Sequence, residues 1–365
     1  MKSQQFKRYS DKGLTGLCNM GNTCYANTCM QMLSHTYELN DILDTSAINA
    51  SSTVDTDDAE LLSEWNTLRK LMWKKNCVIS PGGFIHTIQQ VATNKGMELF
   101  TGYAQNDMSE FLLFLIDCFH TTIARPVTMG LTGNPKAPVD NLAIKVYSMV
   151  KDTYKKEYSE IWNLFYGTHV SEIIDAADPS VVLSQRPEPF FTVSLQIPTS
   201  FTKSSTSSKS TEYGQITLCD CFDDYVAGEL LCGENAWHND RTNRKQDVVK
   251  RISYWAFPPI LCIDLKRFDS RNVKKRTLVT YPLEGLDLSP YVIGYNPESY
   301  MYDLYGVCNH IGSSRGGHYT GYIKNANGFW YEFNDASVTH ISDAKRIVTA
   351  NAYCLFYRKR TLTAS

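Results

Sequence analysis

The sequence predicts an α+β fold in one large domain, with helices gathered in its first half and strands in its second. Three observations carry this prediction. Apolar residues recur at helical spacing from Met108 to Phe119, residues 190–197 alternate as a half-buried strand does, and 260–265 form a near-continuous apolar run. Such a run is typical of a strand buried on both faces. With 365 residues, 43% of them hydrophobic, the chain can bury a large core.

Charge and composition exclude several classes of function. Lys and Arg number 36 against 38 acidic residues, so a general nucleic-acid binder with a basic face is disfavoured. The longest strongly apolar run, 111–116, falls far short of the roughly 20 residues that cross a bilayer. We expect an intracellular protein, cytoplasmic or nuclear, monomeric, with no nucleic-acid or membrane partner. Its 11 cysteines, odd in number and irregularly spaced, indicate free thiols.

Local patterns place the other elements. A polar loop is expected over 35–60, ahead of a helix from Ala59 to Trp73, and the next strong helix begins near Asp107, which can cap it with Glu110 as the reciprocal partner. Further along, residues 200–211 are predicted to be a loop rich in serine and lysine. A helix is predicted at 219–231, followed by a polar hairpin or finger at 235–250.

A cysteine marks the point where turn chemistry gives way to a helix. The stretch 13–33 reads GLTGLCNMGNTCYANTCMQML, and its helix begins at Cys24. Unpaired N–H groups and the helix dipole favour a thiolate there, which is the nucleophilic form. A buried structural cysteine is the commoner alternative, and we assign it to Cys77, Cys118 and Cys354. A core cysteine needs no glycine-rich turn before it, so Cys24 is the candidate nucleophile.

A base for that nucleophile is predicted at His318. Small residues precede it in GSSRGGHY, which lets a substrate backbone lie close to the ring. Strands at 319–324 and 329–333 form a hairpin around a short polar turn. A four-residue loop brings position 335 opposite His318, whereas a loop shorter by one brings Asn334 there; both registers stay open. Either gives the imidazole a polar partner that fixes its tautomer.

These stretches resemble the ubiquitin-specific protease family. The family's cysteine box is close to GLxNxGNTCYxNxxLQ, which 16–31 follow with few departures. YDLYGVCNHIG, GGHYTGY and WYEFND resemble the histidine box, and LCIDLKRF resembles the strand before it. The resemblance covers about 13–360, leaving a polar N-terminal segment, 1–12, and a tail, 361–365.

The resemblance implies a papain-like cysteine protease fold with thumb, palm and fingers subdomains. A helical lobe at about 13–165 would meet a β-rich lobe, with the fingers, at about 166–360. The implied reaction is hydrolysis of the peptide or isopeptide bond after the C-terminal glycine of ubiquitin, with ubiquitin, polyubiquitin and ubiquitinated proteins as partners and no cofactor. Two alternatives stay open: a catalytically weak ubiquitin-binding module, and a protease for another modifier that ends in Gly-Gly.

The resemblance also implies roles for single residues. Cys24 attacks, His318 moves the proton and Asn334 holds the ring, with Asp335 assisting electrostatically. Asn19 is the expected oxyanion donor together with the Cys24 backbone N–H. The substrate-binding residues comprise a QxDxxE pattern that would hold the arginine-bearing tail of ubiquitin and a narrow passage for its diglycine end: Gln105, Asp107, Glu110, Gly316, Gly317 and Tyr319.

No metal site is predicted. Many relatives carry a zinc ribbon built from two CxxC pairs, but this sequence has no CxxC pair. The corresponding positions hold Asp175, Asp178, Asn239 and Thr242. We therefore expect the fingers to be held by side-chain packing alone.

Overall fold

A computed structural model describes residues 4–45, 56–198, 216–240, 242–314 and 316–361, so the loop predicted at 200–211 lies outside the described residues. None of the helices in these ranges combines the length and apolar character needed to cross a membrane. The α-helices are Cys24–Ser34 (α1), Tyr37–Thr45 (α2), Asp57–Lys74 (α3), Gly82–Asn94 (α4), Met108–Ile123 (α5), Pro138–Tyr154 (α6), Glu160–Phe165 (α7) and Leu218–Val226 (α8).

The strands follow mainly after α7. They are Gly16–Leu17 (β1), Val78–Ile79 (β2), Gly167–Asp175 (β3), Val182–Phe190 (β4), Thr192–Gln196 (β5), Ile216–Thr217 (β6), Glu229–Leu231 (β7), Trp237–Asn239 (β8), Arg244–Gln246 (β9), Val248–Ala256 (β10), Ile260–Lys266 (β11), Val279–Thr280 (β12), Leu286–Asp287 (β13), Met301–Ser313 (β14), Gly316–Lys324 (β15), Trp330–Asn334 (β16), Ser337–Ile341 (β17) and Ala352–Lys359 (β18).

A large sheet of order β17-β16-β15-β14-β18-β11-β5 separates two apolar cores. Strand β11, which lies between β18 and β5, explains why the run at 260–265 is almost wholly apolar. Ile260 and Cys262 pack in the core shared with the helices, whereas Leu261 and Ile263 pack in the core on the opposite face. Successive side chains of a strand point to opposite faces, so covering both faces requires apolar residues throughout.

Helix α1 lies in the first of these cores with every residue buried. Because its sequence is not wholly apolar, its polar side chains need internal partners. Gln31 Nε2 donates to Thr15 O at 2.7 Å, and Asn27 Nδ2 donates to Leu17 O at 3.3 Å. These bonds tie the helix to the loop that precedes it, and they hold Cys24 at a fixed place in the molecule.

The strongest sequence patterns predicted their elements well. Helix α3 covers the predicted 59–73, α5 begins at Met108 with Asp107 as its N-cap, and β11 covers 260–265. Asp107 Oδ1 accepts from the backbone N–H groups of Ser109 and Glu110, but within the described residues Glu110 returns no reciprocal bond. The helix predicted at 219–231 ends at Val226, and β7 follows it.

One prediction about the helical half was wrong, and one helix was not predicted at all. The expected polar loop at 35–60 contains α2, whose Leu39 and Leu43 face the core. The turn-rich stretch after residue 122 leads into α6, which buries Leu142 and Val146 against Trp255 of β10. In both helices few apolar residues contact the core, so their periodicity is weak in the sequence.

The fingers correspond to a four-stranded sheet of order β4-β3-β10-β7, from here on the finger sheet, with the β8–β9 hairpin beside it. The prediction that side-chain packing alone holds them was wrong, because β3 carries a buried carboxylate, Glu172. It accepts from Gln185 Nε2 at 3.0 Å, Arg251 Nε at 2.8 Å and Ser253 Oγ at 2.9 Å. These partners lie on β4 and β10, so one carboxylate joins three strands.

Polar side chains also link the β8–β9 hairpin to β3, close to the positions that the resemblance compares with the cysteines of a zinc ribbon. Gln246 Nε2 donates to Asp175 Oδ2 at 3.3 Å, and Asn239 Nδ2 donates to Gln246 Oε1 at 2.8 Å. Asp175 Oδ1 also accepts from the Asp178 backbone N–H at 3.2 Å. Across the described residues, no group of three or more His, Cys, Asp or Glu side chains is arranged to hold a metal ion.

We predict that Glu172→Ala destabilises the protein by about 1–3 kcal/mol, because it removes a buried acceptor shared by three donors. Burial raises the pKa of Glu172, but the hydrogen bonds from Gln185, Arg251 and Ser253 outweigh burial and lower it. A lowered folded-state pKa gives stability that is present above the unfolded-state pKa and lost as pH falls through the folded-state pKa. The variant should therefore lose less stability on acidification than the wild type.

Urea unfolding between pH 3 and pH 7 measures both effects. Glu284→Ala is the control, because the Glu284 side chain is 64% exposed and pairs with Lys324 at the surface. Exposed pairs contribute about 0–1 kcal/mol. Equal losses for the two variants, or an unchanged acid slope for Glu172→Ala, would contradict the prediction.

Candidate active site

Cys24 begins α1 after a tight polar turn. Asn22 adopts a left-handed backbone conformation with φ of 53°, and Gly21 has φ of 100°. Asn19 Oδ1 accepts from the backbone N–H groups of Gly21 at 2.9 Å and Thr23 at 3.2 Å. The turn is therefore held by one asparagine side chain, and the first N–H groups of α1 point away from it without intrahelical partners.

The Cys24 side chain is largely covered, since the residue is 2% exposed. Burial raises the pKa of its thiol, a backbone hydrogen bond from Tyr319 lowers it, and the Asp335 carboxylate raises it further; the net direction is upward. The backbone N–H groups of Tyr25 and Cys24 at the helix terminus lower the pKa, as expected, but they do not set its net direction. Loss of solvent outweighs these donors and favours the neutral thiol.

His318 and Asn334 form a hydrogen-bonded pair on the sheet edge that faces α1. His318 Nε2 lies 2.7 Å from Asn334 Oδ1. Because an amide oxygen can only accept, Nε2 carries the proton and Nδ1 is the basic nitrogen. Nδ1 makes no hydrogen bond to any described residue, so it is available to take a proton from a nucleophile.

The structure packs α1 against β15 but stops short of joining sulfur to imidazole. The Tyr319 backbone, directly after His318, hydrogen bonds to Cys24. Within the described part of the chain no hydrogen bond connects Cys24 Sγ with His318. Proton transfer therefore requires a side-chain rotation, in keeping with the looser geometry common in enzymes without substrate.

The hairpin register differs from both sequence predictions. Lys324 pairs with Trp330, so five residues, 325–329, connect β15 and β16. The extra residue is accommodated because Asn327 Oδ1 accepts from the Phe329 backbone N–H at 2.9 Å. Ladder pairing ends at Gly321 and Phe333, beyond which the strands separate. Asn334 reaches His318 through its side chain in that gap.

Asp335 contacts the cysteine loop rather than the imidazole. Its Oδ2 accepts from Asn19 Nδ2 at 2.9 Å, and its Oδ1 accepts from Asn27 Nδ2 at 2.7 Å. Its carbonyl oxygen accepts from the Leu17 backbone N–H at 2.8 Å. A Cβ at Gly16 would lie 2.1 Å from Ala336 O, so only glycine allows this approach. One residue thus connects the end of β16 to both β1 and α1.

Gln105 spans the cleft between the helical and β-rich parts. Its Nε2 donates to Gly317 O at 2.7 Å, and its Oε1 accepts from the Gly317 backbone N–H at 2.7 Å. This two-bond pairing is the pattern that one strand residue makes with a neighbouring strand. The Gln105 amide therefore occupies the backbone edge of β15 two residues from Tyr319.

The segment before Gln105 lies against the turn that precedes Cys24. Asn22 Nδ2 donates to Tyr103 O at 3.0 Å, and a Cβ at Gly21 would lie 3.4 Å from the Tyr103 ring. Phe100 anchors this segment: it is buried, has φ of 65°, and packs edge-on against Phe111 at 5.2 Å. The 101–106 segment therefore lies against the turn that positions Cys24.

The acidic residues of the QxDxxE pattern differ in their surroundings. Besides capping α5, Asp107 accepts a hydrogen bond from the Tyr353 hydroxyl through Oδ2. Glu110 is exposed, and partial burial together with the Asp107 charge raises the pKa of Glu110. Among the described residues no cation pairs with Glu110, so this rim carries uncompensated negative charge.

The two glycines before His318 were expected to leave room for a substrate backbone, but only one of them is required to be glycine by its surroundings. A Cβ at Gly317 would lie 2.3 Å from His310 Nε2, so packing beneath β15 excludes any other residue. A Cβ at Gly316 would meet only Gln105 Oε1 at 3.7 Å, which is an ordinary contact. His310 is buried and contacts Lys274 Nζ at 3.1 Å, and burial lowers the pKa of His310 to about 4.

The fold and the site together define a class. A cysteine at a helix N-terminus beside a sheet edge that carries a histidine–asparagine pair is the arrangement of a papain-like cysteine hydrolase. The chain belongs to the ubiquitin carboxyl-terminal hydrolase family, whose model matches residues 15–357. The match covers almost the whole chain, including both strands of the catalytic hairpin.

Several relatives support this membership. The chain is 34% identical to ubiquitin carboxyl-terminal hydrolase 2 of Homo sapiens over 95% of this chain and 55% of that protein. It is 33% identical to ubiquitin carboxyl-terminal hydrolase 2 of Gallus gallus over 95% of this chain and 93% of that protein. The chain thus spans about half the length of the human relative.

A solved structure shares the fold. The SAGA Ubp8/Sgf11/Sus1/Sgf73 DUB module bound to ubiquitin aldehyde contains a chain that superposes with a TM-score of 0.71 at 21% identity. The similarity covers 99% of this chain and 73% of the other. At this identity the likeness establishes the papain-like α+β architecture of thumb, palm and fingers.

Sequence reasoning missed two residues of the site. Asn27 matches a fixed position of the cysteine box but was given no role, and Tyr353 lay in an apolar strand with no motif near it. Their partners, Asp335 and Asp107, are 308 and 246 positions away. A buried polar residue on a helix whose other residues are buried is the signal that could have found Asn27, because such a side chain requires a partner.

We predict that Asp335→Asn lowers the pKa of Cys24, because the Asp335 charge raises it. Asparagine tolerates the left-handed backbone, with φ of 47°, that position 335 adopts. The rate of Cys24 alkylation by iodoacetamide, followed from pH 6 to pH 10 by mass spectrometry of the Cys24 peptide, measures the change.

The control is Asp343→Asn, which removes another acid of the same strand region that caps a short helix at Ala344–Arg346. This variant should show the same dependence of the Cys24 alkylation rate on pH as the wild type. A profile for Asp335→Asn that is unmoved, or displaced to higher pH, would contradict the electrostatic role of Asp335.

Proposed function

We propose that this chain is a cysteine-dependent deubiquitinase, which hydrolyses the peptide or isopeptide bond after the C-terminal glycine of ubiquitin. The observation that carries the proposal is the 2.7 Å hydrogen bond between His318 and Asn334 on a hairpin packed against the helix that starts at Cys24. Family membership supplies the substrate class. Ubiquitin, polyubiquitin and ubiquitinated proteins are the proposed partners.

The proposed reaction begins with proton transfer from the Cys24 thiol to His318 Nδ1. The thiolate attacks the glycine carbonyl carbon and forms a tetrahedral intermediate. As that intermediate collapses, the carbon–nitrogen bond breaks and His318 gives its proton to the leaving amine. Water then attacks the thioester with His318 again taking a proton, the carbon–sulfur bond breaks, and the products are a free carboxylate and the restored thiol.

Asn334 and Asn19 serve this reaction in different ways. Asn334 accepts from Nε2 throughout, which keeps Nδ1 directed at the sulfur. Asn19 Nδ2 has two hydrogens, and Asp335 takes one of them at 2.9 Å. The other is free to donate to the oxyanion with the Cys24 backbone N–H, and loss of one such donor typically costs about a hundredfold or more in rate. Asp335 acts by orienting Asn19.

The proposed substrate tail enters along the open edge of β15. Gly316, Gly317 and Tyr319 would line the passage, and the tail's backbone would take the place of the Gln105 amide on Gly317. Gln105 would then give up its two hydrogen bonds to Gly317 and contact the far side of the tail or the entrance of the passage. An arginine of the tail would neutralise the rim at Asp107 and Glu110, where a raised Glu110 pKa supports the need for a cation.

One alternative has an observation in its favour. A catalytically weak ubiquitin-binding module would be consistent with a Cys24 that is 2% exposed and unbonded to the imidazole. A protease for another modifier ending in Gly-Gly would use the same backbone edge.

A monomeric state and an intracellular location are further parts of the proposal. All 11 cysteines are free, as expected of a protein in a reducing compartment.

Ubiquitin carrying a C-terminal electrophile tests the proposal. We expect wild type to form one covalent adduct and Cys24→Ala to form none, because the adduct requires the attacking sulfur. His318→Ala should react at least about a hundredfold more slowly. Probes that carry the same electrophile on other modifiers ending in Gly-Gly show which modifier reacts fastest with the protein.

Cys77→Ala is the control and should react as wild type does. Cys77 is exposed, so its assignment as a buried structural cysteine was wrong, whereas Cys118 and Cys354 are buried. Labelling that survives Cys24→Ala would refute the assignment of the nucleophile. Tight binding of ubiquitin without any adduct would favour the binding module, and faster labelling by a different modifier would favour the other protease.

A further inference from the structure

The turn that joins the two strands of the catalytic hairpin is built from asparagine side chains. Asn325 is 2% exposed, and its Oδ1 accepts from the Asn327 backbone N–H at 3.1 Å. The Asn325 backbone N–H donates to Phe329 O at 2.9 Å. His318 precedes this turn and Asn334 follows it, so the turn governs how the two residues approach each other.

The N-terminal segment holds this turn from outside the hairpin. The Asp11 backbone N–H donates to Asn325 Oδ1 at 3.2 Å, and Asn325 Nδ2 donates to Lys12 O at 2.8 Å. Asn327 Nδ2 donates to the Asp11 carboxylate at 2.8 Å. Three hydrogen bonds thus connect residues more than 300 positions apart.

The same segment is fixed to the helical part of the molecule. Asn76, just after α3, donates through Nδ2 to Asp11 O at 2.9 Å. Tyr9 is buried, stacks on Tyr37 of α2 with ring centroids 4.5 Å apart, and meets Trp73 of α3 edge-on at 5.0 Å. Residues 9–12 therefore bridge the helices that support Cys24 and the hairpin that carries its base.

The need for such a bridge follows from where the ladder ends. Pairing between β15 and β16 stops at Gly321 and Phe333; beyond it His318 still pairs with Ile311 of β14, and Asn334 pairs with Ser337 of β17, but the two strands no longer pair with each other. Asp335 fixes one end of β16 to the cysteine loop. Because β15 is held by β14 and β16 by β17 on opposite sides, the separation of His318 and Asn334 also depends on the turn that joins the two strands, which residues 9–12 hold.

We propose that Asp11 and Asn325 are positioning residues for the catalytic histidine, and that residues 9–12 are a working part of the catalytic unit. This inference rests on the proposed function. Asn325 acts through the turn, and Asp11 acts through Asn325 and Asn327; neither touches the reacting atoms.

The test compares three variants of the full chain. Asn325→Ala removes the buried amide, and Asp11→Gly removes an exposed carboxylate while keeping a residue suited to its φ of 61°. Asn40→Ala is the matched control, because Asn40 is equally buried and donates to Ser34 O at 2.7 Å at the far end of α1. Asp11→Gly keeps the test decisive should Asn325→Ala fail to fold.

Two readouts separate positioning from stability. With a ubiquitin substrate, we expect Asn325→Ala to lower kcat about tenfold and Asp11→Gly about threefold, with KM within twofold of wild type, because small misplacements cost rate more than binding. Without ubiquitin, the alkylation rate of Cys24 relative to exposed Cys77 at pH 6.5 should fall in the same order. Asn40→Ala should lower the melting temperature while leaving both readouts unchanged.

The outcomes are distinct. An unchanged kcat and an unchanged Cys24 to Cys77 ratio in both variants would overturn the inference, as would equal losses in Asn40→Ala. A falling alkylation ratio in a protein that does not cleave ubiquitin would support the inference while refuting the proposed function.

Discussion

The Asp335 carboxylate is the contact on which the candidate site depends. It accepts from Asn19 on the loop before Cys24 and from Asn27 on α1, while its own backbone continues the strand that carries Asn334. Without it the loop before Cys24 and helix α1 would lose the two side-chain hydrogen bonds that join them to the end of β16, and apolar contacts do not specify direction. A charge-assisted acceptor with two amide donors specifies both distance and orientation.

That contact has an electrostatic consequence for the nucleophile. Burial and, to a lesser extent, the Asp335 charge raise the pKa of Cys24 and so favour the neutral thiol over the thiolate. Reactivity then depends on the arrival of the imidazole rather than on the helix terminus. The 101–106 segment and the Gln105 pairing with Gly317 add a second condition, since the strand edge that a substrate would use is already occupied.

Local patterns in the sequence predicted the parts of this structure that are decided locally. The helix from Met108 and the doubly covered strand β11 follow from periodicity, and the turn-to-helix transition at Cys24 follows from its glycines and asparagines. The register of the hairpin was missed by one residue, because Asn325 and Asn327 hydrogen bond within the turn and lengthen it. Propensity alone does not distinguish a four-residue loop from a five-residue loop of that composition.

Contacts between distant residues could not be predicted in the same way. Glu172 looked like one polar residue in a strand, yet it joins three strands through donors as far as 81 positions away. Asp335 was expected to assist near the imidazole, and it contacts the cysteine loop instead. Each of these contacts depends on which surfaces meet in the folded chain, and the identity of a single residue does not indicate which surfaces those are.

The tautomer of His318 tests the account most directly. In the proposed arrangement Asn334 Oδ1 accepts from Nε2, so nitrogen-15 NMR of the neutral imidazole should show a protonated Nε2 and an unprotonated Nδ1. Replacing Asn334 with alanine should remove that preference. A neutral ring protonated at Nδ1 in the wild-type protein would leave Cys24 facing a donor, and it would contradict the proposed pairing of sulfur and base.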